Sequence, residues 1–146
     1  MTNVDFYIIQ SQQPDYQWLT LRDVFVCQLI EKVWKKGHKI YLHTDNASEA
    51  QKLDNLLWTF RQGSFIPHGL SHQASEPVCI GCDAWTYNNT ADVLINIAST
   101  LPTNFVNFPR ILEILNDTPH IKQAGREHYR RYQQQGYALS SHKIQR

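Results

Sequence analysis

The sequence has 146 residues, of which 42% are hydrophobic and 12% aromatic, and its formal net charge is +1. This length suffices for one domain with a substantial core, and we expect residues 1–146 to form a single domain. The composition excludes a disordered chain, and the apolar runs are too short to span a membrane. No signal peptide is apparent, and Cys27, Cys79 and Cys82 are an odd set, so we expect a reduced, cytoplasmic protein.

The first part of the chain alternates strand and helix patterns. Residues 4–9 are largely β-branched, aromatic or aliphatic and predict a buried strand. Residues 18–36 carry apolar side chains at helical spacing, and residues 39–43 predict a second strand. Asn46 is then a predicted helix cap, with Glu49 three positions on as in a capping box.

The second part of the chain is less regular, and residues 64–77 predict a loop. The elements predicted after it are strands at 78–80, 91–98 and 110–115, a loop or helical turn at 101–108, and a helix from Thr118 to Gly136. The strand at 110–115 is predicted to be the last one. This alternation predicts the α/β class, with a three-layer Rossmann-like fold and a mostly parallel sheet.

Nucleotide chemistry is not supported by the turns of this predicted fold. The turn after the first strand, QSQQPD at 10–15, has no glycine, and neither a dinucleotide-binding nor a P-loop motif occurs in the chain. We therefore predict a fold that lacks a phosphate-binding loop and holds no cofactor. His43 with Asp45, or His68 alone, are better explained as structural residues, so no catalytic residues are predicted.

Four residues have the types and spacing of zinc ligands. They are His68, His72, Cys79 and Cys82, with a Cys-x2-Cys knuckle at the end. A core-forming domain of this size does not need a metal, and a thiol in a strand packs as a small apolar group. Ordinary packing is the favoured interpretation, with zinc as the alternative.

Basic charge is concentrated at the end of the chain. Residues 1–117 carry 8 Lys and Arg against 12 Asp and Glu, whereas residues 118–146 carry 6 against 1. At helical spacing, one face of the last helix holds four residues that could grip a carboxylate beside an apolar side chain: Lys122, Arg126, Tyr129 and Arg130. A solvated basic face without a ligand is the alternative.

An apolar cluster follows the second helix. Trp58 lies about 100° around that helix from Leu57, so only one of the two can face the core. Phe65 and Pro67 follow within ten residues. A surface cluster of Trp, Phe and Pro is typical of a protein interface, and the alternative is a satellite core beneath the 64–77 loop.

Five pieces of the sequence, in this order, resemble the chi subunit of bacterial DNA polymerase III. They are FYII at 6–9, KLDNLLW at 52–58, SFIPH at 64–68, ADVLINI at 91–97 and IKQAGREHYRRYQQQGYAL at 121–139. The resemblance covers nearly the whole chain, and its motifs are specific in combination. The intervening stretch at 69–90 departs most from the family pattern.

The resemblance implies a noncatalytic accessory of the clamp loader. Family members pair with a small psi subunit and bind the acidic C-terminal tail of single-stranded DNA-binding protein, which ends in a Phe carboxylate. Carried over to this sequence, the tail pocket consists of Lys122, Arg126, Tyr129 and Arg130, and the psi-binding patch includes Trp58, Phe65 and Pro67. Such a protein contacts DNA indirectly, is not bound to a membrane, and is expected as a monomer or a heterodimer with psi.

Two other functions remain open on the sequence. The basic segment 118–146 could bind single-stranded nucleic acid directly, with Tyr129 and Tyr132 stacking on bases. The chain could also be a small enzyme built on an α/β scaffold.

Overall fold

The computed structural model describes residues 2–10, 20–63, 65–73, 76–85 and 91–145. Within these ranges the chain forms seven strands, three α-helices and a short 3-10 turn. In chain order they are β1 (Asn3–Gln10), α1 (Leu21–Lys35), β2 (Ile40–His43), α2 (Ala47–Thr59), β3 (His68–Leu70), β4 (Val78–Gly81), β5 (Val93–Asn96), the 3-10 turn (Phe105–Asn107), β6 (Arg110–Leu115), α3 (Pro119–Gln134) and β7 (Ala138–Gln145).

The strands form one sheet in the order β3-β4-β2-β5-β6-β1-β7. Every neighbouring pair that the described residues form is parallel. The central strands are buried on both faces, which is why they are largely apolar, as in VLIN and IYLH, where only the last residue is strongly polar. The predicted α/β class with a mostly parallel, Rossmann-like sheet is confirmed.

The helices lie on opposite faces of this sheet. Helices α1 and α2 pack on one face, where Ile30 and Leu53 join strand residues such as Leu42 in one core cluster. Helix α3 and the 3-10 turn cover the other face, where Tyr132 and Phe105 join a second cluster. The molecule therefore has three layers, and each layer of helices presents its outer side to solvent.

Helix ends follow the capping residues in the sequence. Thr20 begins α1 with a complete capping box, because its Oγ1 accepts from the Asp23 N–H at 3.0 Å and Asp23 accepts from the Thr20 N–H. Asn46 begins α2 as predicted and accepts from the Glu49 N–H at 2.9 Å. Thr118 occupies the N-cap position of α3, but its side chain makes no cap hydrogen bond.

Two predictions about the strands are wrong. Residues 64–77 are not only a loop, because His68–Leu70 within them forms the edge strand β3. The strand at 110–115 is not the last one, because β7 follows α3 and pairs with β1 over eight residues. Residues 11–15 of the turn after the first strand and the start of the first helix at Trp18 lie outside the described residues. Among the helices that the structure describes, none is both long and apolar enough to cross a membrane.

Candidate functional site

The basic face predicted for the last helix lies on the exposed side of α3. Lys122, Arg126 and Arg130 are exposed, and Tyr129 keeps 37% of its surface accessible. The Tyr129 ring lies 5.4 Å from the ring of Phe6 on β1, measured between centroids. The tyrosine therefore joins the cationic face to the sheet, and it offers an apolar surface beside three cations.

The inner side of α3 is fixed against strand β6. Its buried residues are Gly125, His128 and Tyr132, which recur at helical spacing. A Cβ atom at Gly125 would collide with the side chain of Leu115, so the glycine allows the helix to approach the sheet closely. Because this side is fixed, the opposite side of the helix holds its basic residues on a rigid support.

A buried carboxylate makes the polar contacts beneath α3. Glu113 is 1% exposed and accepts from the Tyr132 hydroxyl at 2.6 Å and from the Asn96 amide at 3.0 Å. His128 Nδ1 lies 3.2 Å from the same carboxylate, and its Nε2 lies 3.0 Å from the Ser99 carbonyl oxygen. Both ring nitrogens therefore face acceptors, an arrangement that suits the doubly protonated imidazolium.

The electrostatics of this network follow from burial and from the charge of Glu113. Burial alone would lower the pKa of His128, but the hydrogen bond and charge of Glu113 raise it above its ordinary value. Burial, and then Glu113, raise the pKa of Tyr132, so its hydroxyl remains a donor. Protonation of His128 makes it the ion-pair partner of Glu113, with a neutral tyrosine beside the pair. Sequence analysis did not find this network, although a single Glu inside the apolar strand RILEIL requires buried partners.

The second predicted surface lies at the end of α2, on the other face of the sheet. Trp58 is 50% exposed and Phe65 is 69% exposed, and their ring centroids are 5.9 Å apart. The intervening segment alternates, since Ile66 is buried while Pro67 is half-buried. The satellite-core interpretation is therefore wrong for Trp58 and Phe65, which form an exposed aromatic pair.

His68 supports this aromatic pair from below. Its ring centroid lies 4.3 Å from that of Trp58, and its two nitrogens lie 2.6 Å from the Ile66 carbonyl oxygen and 3.0 Å from the Asp54 carbonyl oxygen. The side chain is nearly inaccessible, so it acts as a fixed platform for the indole. These contacts occupy both ring nitrogens of His68.

The four residues with zinc-ligand spacing do not assemble into a metal centre. His68 directs its nitrogens to backbone carbonyls, His72 packs against Trp85, and the Cys79 thiol donates to the Glu76 carbonyl at 3.1 Å. Across the part of the chain that the structure describes, no three His, Cys, Asp or Glu side chains are grouped as metal ligands.

His43 and Asp45 likewise do not form a catalytic pair. The Nδ1 of His43 lies 3.0 Å from the Tyr41 hydroxyl, whereas Asp45 accepts from the Ser99 N–H at 2.7 Å. Burial lowers the pKa of His43, which favours its neutral form. His43 is buried at the end of β2, and Asp45 joins the turn after β2 to Ser99 after β5.

A cleft of about 310 Å³ lies at the carboxyl ends of β2, β5 and β6, where ligands bind in many open α/β sheets. Both of its Arg and Lys side chains are engaged with the backbone or with a carboxylate. Arg22 donates to the carbonyl oxygens of Ile114 and Ile97 at 2.8 and 3.0 Å, and Lys52 pairs with Asp23 at 2.8 Å. The cleft offers no excess of cations and so does not fit a polyphosphate.

The sequence matches one known protein family over most of its length. The sequence model of the family described as DNA polymerase III chi subunit, HolC, matches residues 1–140. The chain is 39% identical to the DNA polymerase III subunit chi of Pseudomonas aeruginosa, covering 100% of this chain and 99% of that protein. The chain belongs to the DNA polymerase III chi subunit family.

More distant relatives carry the same name. The identities are 26% to the subunit chi of Haemophilus influenzae and 24% to that of Escherichia coli, over 95% and 97% of both chains respectively. Family membership supports an accessory role in DNA replication, as a component of a multisubunit polymerase. Among solved structures, the crystal structure of T4 UvsW matches 99% of this chain and 42% of that chain with a TM-score of 0.68 and 7% identity, a likeness of fold alone.

Proposed function

We propose that this protein links the clamp loader of the replicative polymerase to the acidic C-terminal tail of single-stranded DNA-binding protein. It makes the first connection through a psi subunit and the second through the basic face of α3. It has no catalytic activity of its own and acts in the bacterial cytoplasm, where the chromosome is replicated.

The observation that carries this proposal is the basic face beside Tyr129. Lys122, Arg126 and Arg130 are exposed on one side of α3, whose inner side is fixed by buried contacts. A guanidinium can bind a terminal carboxylate through two parallel hydrogen bonds, and the half-exposed tyrosine ring offers an apolar contact for a terminal Phe. A peptide with acidic residues and a C-terminal Phe matches both features.

The proposed psi-binding surface is the exposed pair Trp58 and Phe65 with Pro67 beside it. Aromatic side chains that are already held in place lose little entropy on binding and often dominate an interface. His68 holds the Trp58 indole, so this surface is preorganised.

Direct stacking of nucleic-acid bases on this helix is less well supported. That interpretation requires both Tyr129 and Tyr132 at the surface, but Tyr132 is 0% exposed and donates its hydroxyl to Glu113. Of these two rings only Tyr129 is accessible, and one ring does not form a series of stacking sites. The basic face therefore fits a short peptide better than a strand of bases.

The proposal is tested by titrating the protein with an acidic peptide that ends in Phe. Arg126→Ala should weaken binding by about 2–3 kcal/mol, because it removes a charge-assisted hydrogen bond to the terminal carboxylate. Amidation of the peptide C-terminus should lower affinity by a similar amount. Arg131→Ala is the matched control, because Arg131 lies over the Phe105 ring, away from the basic face.

Bare oligonucleotide provides the opposing test at two salt concentrations. A nucleic-acid site would show affinity that falls steeply with the logarithm of salt, whereas a peptide site with few charges should weaken moderately. Tight oligonucleotide binding with no peptide binding would refute the proposal. Equal losses for Arg126→Ala and Arg131→Ala would show that only general charge is involved.

A further inference from the structure

Strand β7 forms one edge of the sheet and pairs with β1 along its whole length. In this parallel register Ser141 lies beside Phe6, and Lys143 lies beside Ile8. Paired residues share a face, and side chains alternate along a strand, so all four lie on one face of the sheet. It is the face that α3 covers, because the Phe6 ring contacts the Tyr129 ring.

The basic side of α3 points toward β7. Tyr129 contacts β1, whereas the preceding His128 contacts Glu113 on β6 and Ser99 after β5. Because the strand order is β5-β6-β1-β7, the Tyr129 side of the helix is the β7 side. Arg126 and Lys122 precede Tyr129 by three and seven residues and therefore share that side.

The cations of α3 also lie at the same position along the strand direction as Ile8 and its neighbour on β7. Helix α3 starts beyond the carboxyl end of β6 and returns to the amino end of β7, so it runs antiparallel to these strands. From Tyr129, the helix rises about 10 Å toward the sheet's carboxyl edge before it reaches Lys122, and Arg126 lies between them. From Phe6, Ile8 lies about 7 Å in the same direction. Ile8 and its neighbour on β7 are therefore level with the two cations.

The residues at this level have complementary properties. Ile8 is half-buried, so part of its apolar surface remains accessible beside α3. Lys143 is exposed on the neighbouring strand, and among the described residues no ion pair engages it. Asp5, the acidic residue of β1, is engaged on the other face of the sheet by Arg110 and His142. At this level the space between α3 and β7, called the groove below, is flanked by the cations of both elements, with Ile8 between them.

We propose that this groove is part of the peptide site, with Ile8 as its floor and Lys143 as its second wall. Ile8 contacts the apolar side chain of the peptide's last residue, while Lys143 pairs with an acidic residue that precedes it. This inference rests on the proposed function and assigns two residues that the carried-over set Lys122, Arg126, Tyr129 and Arg130 does not include.

The test uses two peptides that both end in Phe, one with three preceding acidic residues and one with their amides. Lys143→Ala should weaken the acidic peptide about twofold to fivefold, because one partly exposed charge pair is lost. Lys143→Glu should weaken it by about tenfold, because attraction becomes repulsion. Neither change should alter the affinity of the amide peptide. Lys35→Ala is the control, since it removes the same charge from α1 on the other face of the sheet.

Ile8→Ala provides an independent measure of the groove floor. It should weaken both peptides alike, and a peptide whose last residue is Ala should be insensitive to it. Amide resonances of Ile8 and Lys143 in the unaltered protein should shift on peptide addition, so the inference does not depend on a variant that folds.

The outcomes separate this inference from the proposed function. Loss with Arg126→Ala but equal affinities for Lys143→Ala and Lys35→Ala, without shifts at Ile8, would reject the groove and retain the basic face. If Arg126→Ala and Lys143→Ala both leave peptide binding unchanged, the proposed function and the groove are rejected together.

Discussion

Glu113 is the residue on which the orientation of α3 depends. Its carboxylate contacts Asn96 on β5 as well as His128 and Tyr132 on the helix, so it joins two strands and a helix through one buried charge. Such a group is stable only when its partners are all present, because an unpaired buried charge is costly. Helix α3 therefore packs on the sheet in one favoured orientation, and this orientation fixes the arrangement of its exposed cations.

At the same scale, the aromatic pair allows a direct test of the psi-binding surface. Trp58→Ala or Phe65→Ala should each weaken psi binding by about 2 kcal/mol if these rings anchor the partner. Peptide binding at α3 should be unchanged, because the two surfaces lie on opposite faces of the sheet. Titration of psi and of the peptide with each variant measures both effects.

Val106→Ala is a suitable control for those variants, because Val106 is 51% exposed on the 3-10 turn, away from α2. Psi affinity should not respond to it. If either aromatic variant loses peptide and psi binding together and unfolds more readily, its ring supports the core and the surface assignment is wrong.

The exposure of individual residues could be predicted from the sequence where helical periodicity alone determines the face on which a residue lies. The exposure of Trp58 follows from its position one residue after Leu57, which is 1% exposed and faces the sheet. The basic face of α3 follows from the same spacing. The partners of Glu113 were not predicted, because they come from β5 and α3 and are joined only by the tertiary fold.

At the scale of elements, the stability that the packing of α3 contributes should depend on pH through His128. The pKa of His128 is raised in the folded protein, so the protonated form stabilises the fold below about pH 6.5, the ordinary value, and this contribution is lost as the pH rises through the folded-state pKa. The free energy of unfolding of the native protein minus that of His128→Gln should therefore be larger at pH 6 than at pH 9. Denaturant titrations of both proteins across this range measure the difference.

Subtraction of the variant is necessary because His43 has the opposite shift. Burial is the main cause that lowers the pKa of His43, so its contribution is lost as the pH falls. The charge of His128 is the smallest of the causes, so subtraction removes most of the His43 contribution but not the part that depends on His128. A difference that stays constant between pH 6 and pH 9 would show that His128 is not charged in the native state.

The elements that the sequence did not predict are both edge strands. Strand β3 has three residues, HGL, which is too short for alternation to be visible. Strand β7, ALSSHKIQ, is exposed along most of its length, and only Leu139 and Ile144 are half-buried. Edge strands are held by backbone pairing with one neighbour, so their side chains need not show the apolar pattern that identifies a buried strand.

At the scale of the whole molecule, the structure shows where the basic C-terminal segment lies relative to the rest of the chain. The basic C-terminal segment folds as α3 and β7, which lie together at one end of the sheet, whereas α2 and its aromatic pair lie on the opposite face. The sequence predicted that two surfaces exist, but not that the sheet separates them. The sheet keeps the two surfaces apart, which suits the proposed bridging role, because each proposed partner has a face of its own.

This separation predicts that the two partners bind without thermodynamic coupling. Coupling between sites requires that each ligand favours a different state of a shared element, and the described contacts show no element that carries both surfaces. Saturation with the acidic peptide should therefore change the affinity for psi by less than about twofold, a coupling free energy below about 0.4 kcal/mol. Calorimetric titration of psi into the free and the peptide-saturated protein measures this quantity, with the Arg126→Ala protein as a control that retains psi binding. A tenfold change in either direction would show that the sheet transmits a conformational change, and the view of this protein as a rigid bridge would have to be abandoned.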